Sequence, residues 1–218
     1  MRGRLLFVAL IAFGNVACSP PMIEVEGRRV FNPRWAWALE VGRDDWQQPE
    51  AVLRALALPE AAVVADIGAG GGYFTERFSR ALPAGRVFST DVQEGMIERL
   101  EERVRARGLT NVEVVRAGFD DPGLPERCCD LVFLSSVYKE IDGRVAYMRR
   151  VRSLLRPGGR VAVLEFRPEA PGRGPPEAVR LAPAPIVAEL EAAGFVLVER
   201  HEFLARESFL VFAPAEAG

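Results

Sequence analysis

The residues with the clearest chemical meaning are Val63-Val64-Ala65-Asp66-Ile67-Gly68-Ala69-Gly70-Gly71-Gly72-Tyr73, an apolar run that ends in glycines before a stretch of helical period. Gly68, Gly70 and Gly72 let the backbone turn sharply and approach a ligand closely, and the start of the next helix offers unpaired amide donors. A dinucleotide fingerprint of GxGxxG form would need its third glycine at position 73, where the chain has Tyr73. The pattern is GxGxG, with Asp66 two residues ahead of the first glycine. An acid there repels a pyrophosphate and attracts an ammonium. Other candidate groups lie downstream in Tyr138-Lys139-Glu140 and Glu165-Phe166-Arg167. Lys139 is the only lysine, the other 27 basic residues being arginine. If desolvated, its amine could act as a base; in water it is a solvated charge. His201, the only histidine, precedes a hairpin turn and reads as surface or packing. Cys128 and Cys129 have no histidine or third cysteine at metal spacing, so no metal is expected.

Elements of α/β type must position these groups. From Ala51 onward, short β-branched runs alternate with stretches of helical period, the pattern of a parallel sheet covered on both faces. Strands are expected at 62–67, 86–90, 112–115, 131–134 and 161–166. Phe74, Phe78 and Leu82 mark one helix, Ile97, Leu100 and Val104 a second that stops near Gly108. Val145, Met148, Val151 and Leu155 mark a third, closed by Pro157-Gly158-Gly159. Ile186, Leu190 and Ala193 give a last helix, and Phe195–Val198 with Phe209–Phe212 an antiparallel hairpin. The expected fold is thus doubly wound and Rossmann-like, with a seven-stranded, mostly parallel sheet and helices on both faces. Tyr138 to Glu140 follow the fourth strand, at the edge where such folds bind ligands.

With strand, DxGxGxG, helix, an acid 25 residues after Asp66 and a Pro-Gly-Gly turn in that order, residues 46–212 resemble the class I S-adenosylmethionine-dependent methyltransferases. The resemblance implies S-adenosylmethionine as cofactor. It places the methionine end against Asp66, Gly68, Gly70, Gly72 and Tyr73, and the ribose hydroxyls on Asp91, whose two oxygens suit a diol. Val92, Phe119 and Ser135 complete the implied cofactor set. Asp45-Trp46-Gln47-Gln48-Pro49, Asp120-Asp121-Pro122 and Val137-Tyr138 are similar to a bacterial methyltransferase subgroup with an N-terminal WQxP segment. Many members of the wider family carry an acid after the third strand to touch the adenine amine. Here Gly118-Phe119 stands there, with Asp120 and Asp121 slightly late. The subgroup's usual Tyr-His-Glu is Tyr138-Lys139-Glu140. Methyl transfer from a sulfonium asks chiefly for alignment, with a base only for a poor nucleophile. Lys139 or Glu140 would supply it, with Tyr138 orienting.

The chain has 218 residues, 49% hydrophobic and 27% charged, which is about one domain. Its net charge of -2 leaves no basic excess for phosphates, so nucleic acid is excluded as an expected partner. Arg2 and Arg4 precede the apolar run Leu5–Phe13, and Ala17-Cys18 follows. This reads as an export signal over residues 1–17; Ala17-Cys18 resembles a bacterial lipobox, which implies a lipidated Cys18, with ordinary cleavage nearby as the alternative. Residues 18–50, which hold Trp35, Trp37 and Trp46, are expected to be a helical flap, and 51–218 the methyltransferase domain. The expected protein is therefore an envelope-side lipoprotein touching the membrane only through Cys18 and acting on a small-molecule acceptor. The alternatives are a cytoplasmic enzyme and an exported, non-catalytic binding module on the same fold.

Overall fold

The computed structural model describes residues 22–172 and 174–216; the expected signal and Cys18 lie outside them. Strands β1 (Met22–Val25) and β2 (Arg28–Phe31) pair with each other as an antiparallel hairpin. A 3-10 turn, Pro33–Leu39, follows, capped by the Asn32 side chain, which accepts from the Arg34 amide at 3.0 Å. Helices α1 (Arg43–Gln47) and α2 (Pro49–Leu56) come next. Gln48, at φ 48°, breaks the chain between them, and Pro49 restarts it. The flap expected to be helical over 18–50 is thus part hairpin.

Next come β3 (Val63–Ile67), α3 (Tyr73–Ala81), β4 (Arg86–Asp91), α4 (Glu94–Arg107) and β5 (Val112–Arg116). They are followed by β6 (Cys129–Ser135), α5 (Arg144–Leu154), β7 (Leu155–Phe166), α6 (Pro183–Ala192), β8 (Phe195–His201) and β9 (Glu207–Pro214). The seven strands run in the order β5-β4-β3-β6-β7-β9-β8, parallel as far as β7 and antiparallel beyond. One detail differs from the expectation. Leu155 leaves the third helix and pairs with Cys129, so the Pro-Gly-Gly turn is a bulge inside β7. Gly158, at φ +80°, permits it, and a Cβ on Gly159 would meet the Cys129 carbonyl at 3.0 Å.

The central strands are apolar on both faces because helices cover both. On one face Val132, Leu134, Val161 and Val163 pack with Met148, Val151, Ile186 and Leu190 from α5 and α6. On the other, Val64, Phe133, Ala162 and Leu164 meet Val52, Leu56, Phe74 and Phe78 from α2 and α3. Phe133 meets Phe74 and Phe78 edge-on, with ring centroids at 4.7 and 5.0 Å. Strand order turns back between β3 and β6, so the carboxyl ends of β3, β4, β6 and β7 open a crevice at that switch point. Among the described residues no helix is long and apolar enough to cross a membrane.

Candidate functional site

The glycine loop after β3 forms the floor of one half of the crevice. Gly68 has φ +66°, and a Cβ there would lie 2.3 Å from Val137, so only glycine fits. Gly70 has φ +57°, and a Cβ on it would meet nothing within 4 Å, which leaves open space for a ligand beside the backbone. Asp91, at the end of β4, accepts from the Gly70 amide at 3.1 Å and the Gln93 amide at 3.0 Å. Burial pushes its carboxyl up from the usual range, while the amides of Gln93, Gly70 and Val92 pull it back. Next to it the Thr90 hydroxyl and the Gln93 Oε1 are buried without a hydrogen-bond partner. Open space at Gly70, a tethered acid and two orphaned polar atoms fit the nucleoside half of S-adenosylmethionine.

Asp66 sits at the end of β3, 3% exposed, and accepts from the Thr75 hydroxyl at 2.7 Å; Ser89 in turn donates to Thr75 at 2.9 Å. Burial raises its carboxyl to about 6, against the Thr75 hydrogen bond and the nearby Arg43 charge. An ammonium is drawn to the ionised form alone. Affinity for the cofactor should therefore be constant above that pH and fall as pH drops through about 6, and Asp66→Asn should flatten the profile. Calorimetric titration across pH 5 to 8 reads this directly.

Residues 28–47 lie over this crevice. The Arg28 guanidinium stands 4.4 Å from the Phe119 ring and reaches Asp120 at 3.5 Å and Asp142 at 3.4 Å. Asp121 accepts from Arg150 at 2.9 Å and the Gly123 amide at 2.8 Å, so both late acids are engaged by arginines. Glu40 pairs with Arg103 at 2.7 Å and lies beside Gly71. Arg43 stacks 4.1 Å over the Tyr73 ring, Arg77 also faces that ring at 3.9 Å, and the Tyr73 hydroxyl donates to Asp44. Arg43 also bonds Gln47 and donates to the Ser135 hydroxyl at 3.2 Å. Gln47, fully buried, donates to Ser135 at 3.1 Å and to Glu207 at 2.7 Å. Glu207 also accepts from Ser136 at 2.9 Å, and burial pushes its carboxyl up despite the Arg43 charge.

The residues expected to do acid–base work separate. Tyr138 is fully buried in the α5–α6 core, and its hydroxyl donates to Glu189 at 2.7 Å, which Arg144 also holds at 2.7 and 2.8 Å. Its phenol is thereby spent on packing and is not free to orient an acceptor. Lys139 is 8% exposed; its ammonium donates to the Ser136 carbonyl and lies 3.5 Å from Glu140 and 3.8 Å from Glu165. An ammonium has no lone pair, so it would first have to lose a proton among these acceptors before it could take one. Glu140 is half exposed, at the rim. Glu165, with no exposed surface, accepts from the Lys139 amide at 3.2 Å through Oε1, while Oε2 has no hydrogen-bond partner. Burial raises its carboxyl, and the Lys139 ammonium opposes the shift. His201, at the end of β8, packs against Phe209 of β9 with ring centroids 4.5 Å apart, as expected of a packing residue.

Sequence reading missed Arg43, Gln47 and Glu207. Gln47 stood inside the WQxP resemblance, with no role attached to it. Glu207 left a faint signal, an acid opening an apolar strand, but its neighbour Gln47 is 160 residues away.

The fold is that of the class I S-adenosylmethionine-dependent methyltransferases, a methyltransferase domain whose cofactor is S-adenosylmethionine. Residues 64–159 match the family model described as a methyltransferase domain. The chain is 33% identical over 105 residues to the ubiquinone/menaquinone biosynthesis C-methyltransferase UbiE of Pasteurella multocida, covering 47% of this chain and 39% of that protein. It is 32% identical over 107 residues to the UbiE of Hahella chejuensis, covering 48% and 43%. The chain thus spans about two-fifths of the length of these curated relatives. A crystal structure of a SAM dependent methyltransferase from Aquifex aeolicus superposes with a TM-score of 0.80 at 25% identity, over 84% of this chain and 98% of that one. The trans-methyltransferase CalH, solved in complex with SAH, shares the fold at a TM-score of 0.60 and 23% identity, over 72% of this chain and 52% of that one.

Proposed function

We propose that the protein methylates a small molecule that loses a proton on reaction, a hydroxyl or ring carbon of quinone-precursor type. The observation that carries this reading is the buried Glu165 carboxylate near the carboxyl end of β7, whose Oε2 has no hydrogen bond and faces the Lys139 ammonium at 3.8 Å. The similarity to C-methyltransferases of quinone biosynthesis supports the acceptor class. When bound, the cofactor supplies a methyl group on a positively charged sulfur. Asp91 and Asp66 hold its two polar ends, and Arg43, stacked on Tyr73 and tied to Ser135, lines the crevice between the glycine loop and β6. Glu165 takes the proton that the acceptor loses as it gains the methyl group. Lys139 holds Glu165 in place and favours its charged form against burial, a positioning role in place of the base role expected from its sequence position.

The reading is tested by calorimetric titration of the full chain with S-adenosylmethionine, with a nicotinamide dinucleotide as control. Mass spectrometry then follows methylation of 1,4-dihydroxy-2-naphthoic acid as a probe acceptor. Saturable binding of S-adenosylmethionine alone is expected; equal binding of the dinucleotide, or of neither, removes the assignment.

A further inference from the structure

Eight large hydrophobic side chains are exposed among the described residues, and four of them, Trp35, Trp37, Leu39 and Val41, fall on the turn Pro33–Leu39 and the two residues after it. Apolar surface concentrated in this way marks a contact face. We infer that this turn is a membrane-docking surface, whose partner is the headgroup region of a phospholipid bilayer. The exposure is built in: the inner side of the turn is fixed to the domain. Ala36 is buried, Pro33 packs on Gly95 of α4, and Glu40 is bonded to Arg103 of the same helix at 2.7 Å. What faces outward is the pair Trp35 and Trp37, 47% and 58% exposed and stacked on each other with ring centroids 6.1 Å apart.

Three observations favour a bilayer over a protein partner. Indoles, with an apolar body and one polar edge, collect at the membrane–water boundary. No acid lies between Asn32 and Leu39, while Arg34 is exposed between Asn32 and the tryptophans, where a lipid phosphate would sit. The third is the path of the chain. Met22 pairs with Phe31, directly before the Asn32 cap, so the chain carrying the apolar run Leu5–Phe13 joins the domain beside this turn. A chain held by its N-terminal segment would bring the tryptophans to the same surface. Glu40, beside Gly71, ties the turn to the rim of the glycine loop, so docking would also turn the mouth of the crevice toward the bilayer.

The test uses the full chain with vesicles of equal parts phosphatidylethanolamine and phosphatidylglycerol, read by flotation and by tryptophan emission. Parental protein should float with the vesicles and its emission should shift to shorter wavelength. The double change W35S/W37S keeps the apolar run and the reporter Trp46, and should lower the partition coefficient about tenfold or more and abolish the shift. Arg34→Glu should weaken binding to these vesicles more than to pure phosphatidylcholine. Because both tryptophans are exposed, the variant should keep the parental melting temperature. If the variant partitions like its parent, or neither binds, the inference is wrong. If analytical ultracentrifugation shows a dimer that W35S/W37S dissociates, the face joins two copies of the chain and the bilayer reading falls. Cofactor titration is unaffected by either result, so the outcome is separate from that of the methyltransferase reading.

Discussion

Glu165→Gln is expected to lower methyl transfer to a hydroxyl or carbon-acid acceptor by about 10²- to 10⁴-fold while leaving cofactor affinity nearly unchanged. Glutamine keeps the size of the side chain and an oxygen to accept from the Lys139 amide, so the fold around β7 is preserved. What it loses is the charge, and with it the ability to take a proton. The parental rate should rise with pH as Glu165 ionises, at a pH above the ordinary carboxylate range because burial raises it. In Glu165→Gln that rising limb should vanish. Lys139→Met supplies the complementary measurement. Removing the ammonium takes away the charge that opposes the shift, so the limb should move to higher pH, and turnover near neutrality should fall. Were Lys139 itself the base, Lys139→Met would abolish activity at every pH and Glu165→Gln would be mild. Single-turnover rates with the probe acceptor, measured across pH for the three proteins, separate the two assignments. Parental rates in Glu165→Gln would leave catalysis to alignment alone.

Asp91→Ala should weaken S-adenosylmethionine binding by about 1.5 to 3 kcal/mol, about 10- to 150-fold in dissociation constant. The acid has two jobs. Its oxygens accept from the Gly70 and Gln93 amides, which shape the loop, and the same carboxylate is the group available to a diol at the end of β4. Asp91→Asn keeps one acceptor oxygen and should lie between parent and alanine. Gly70→Val acts by a different route, since it fills the open space beside the loop and places a branched side chain at φ +57°. Calorimetry on Asp91→Ala and Gly70→Val checks both. Tight binding indifferent to both changes would mean that the ligand sits elsewhere.

The sequence alone determined the core of this protein, because the information there is local. The alternation of β-branched runs with helical periods is written into short windows, and so are the DxGxGxG loop and the acid closing the next strand. Asp66, the three glycines and Asp91 accordingly lie together at the carboxyl ends of β3 and β4, as their spacing required. The Pro-Gly-Gly turn was visible too, but whether it closed a helix or bulged inside a strand depended on Cys129, a partner 26 residues away.

Tertiary structure decided which polar side chains on the active edge are free, for that depends on partners far apart in the chain. Tyr138, Lys139 and Glu140 are adjacent in sequence, yet the first is spent on Glu189 of α6, the second on Ser136 and Glu165, and the third stands at the rim. Glu207 at the start of β9 and Gln47 at the end of α1 meet only because the antiparallel hairpin returns β9 beside β7 while the N-terminal segment folds over the crevice. Burial has the same origin. A carboxylate's local sequence says nothing of the helices and strands that exclude water from it, and it is that exclusion which raises Asp66, Glu165 and Glu207 and makes one of them a candidate base.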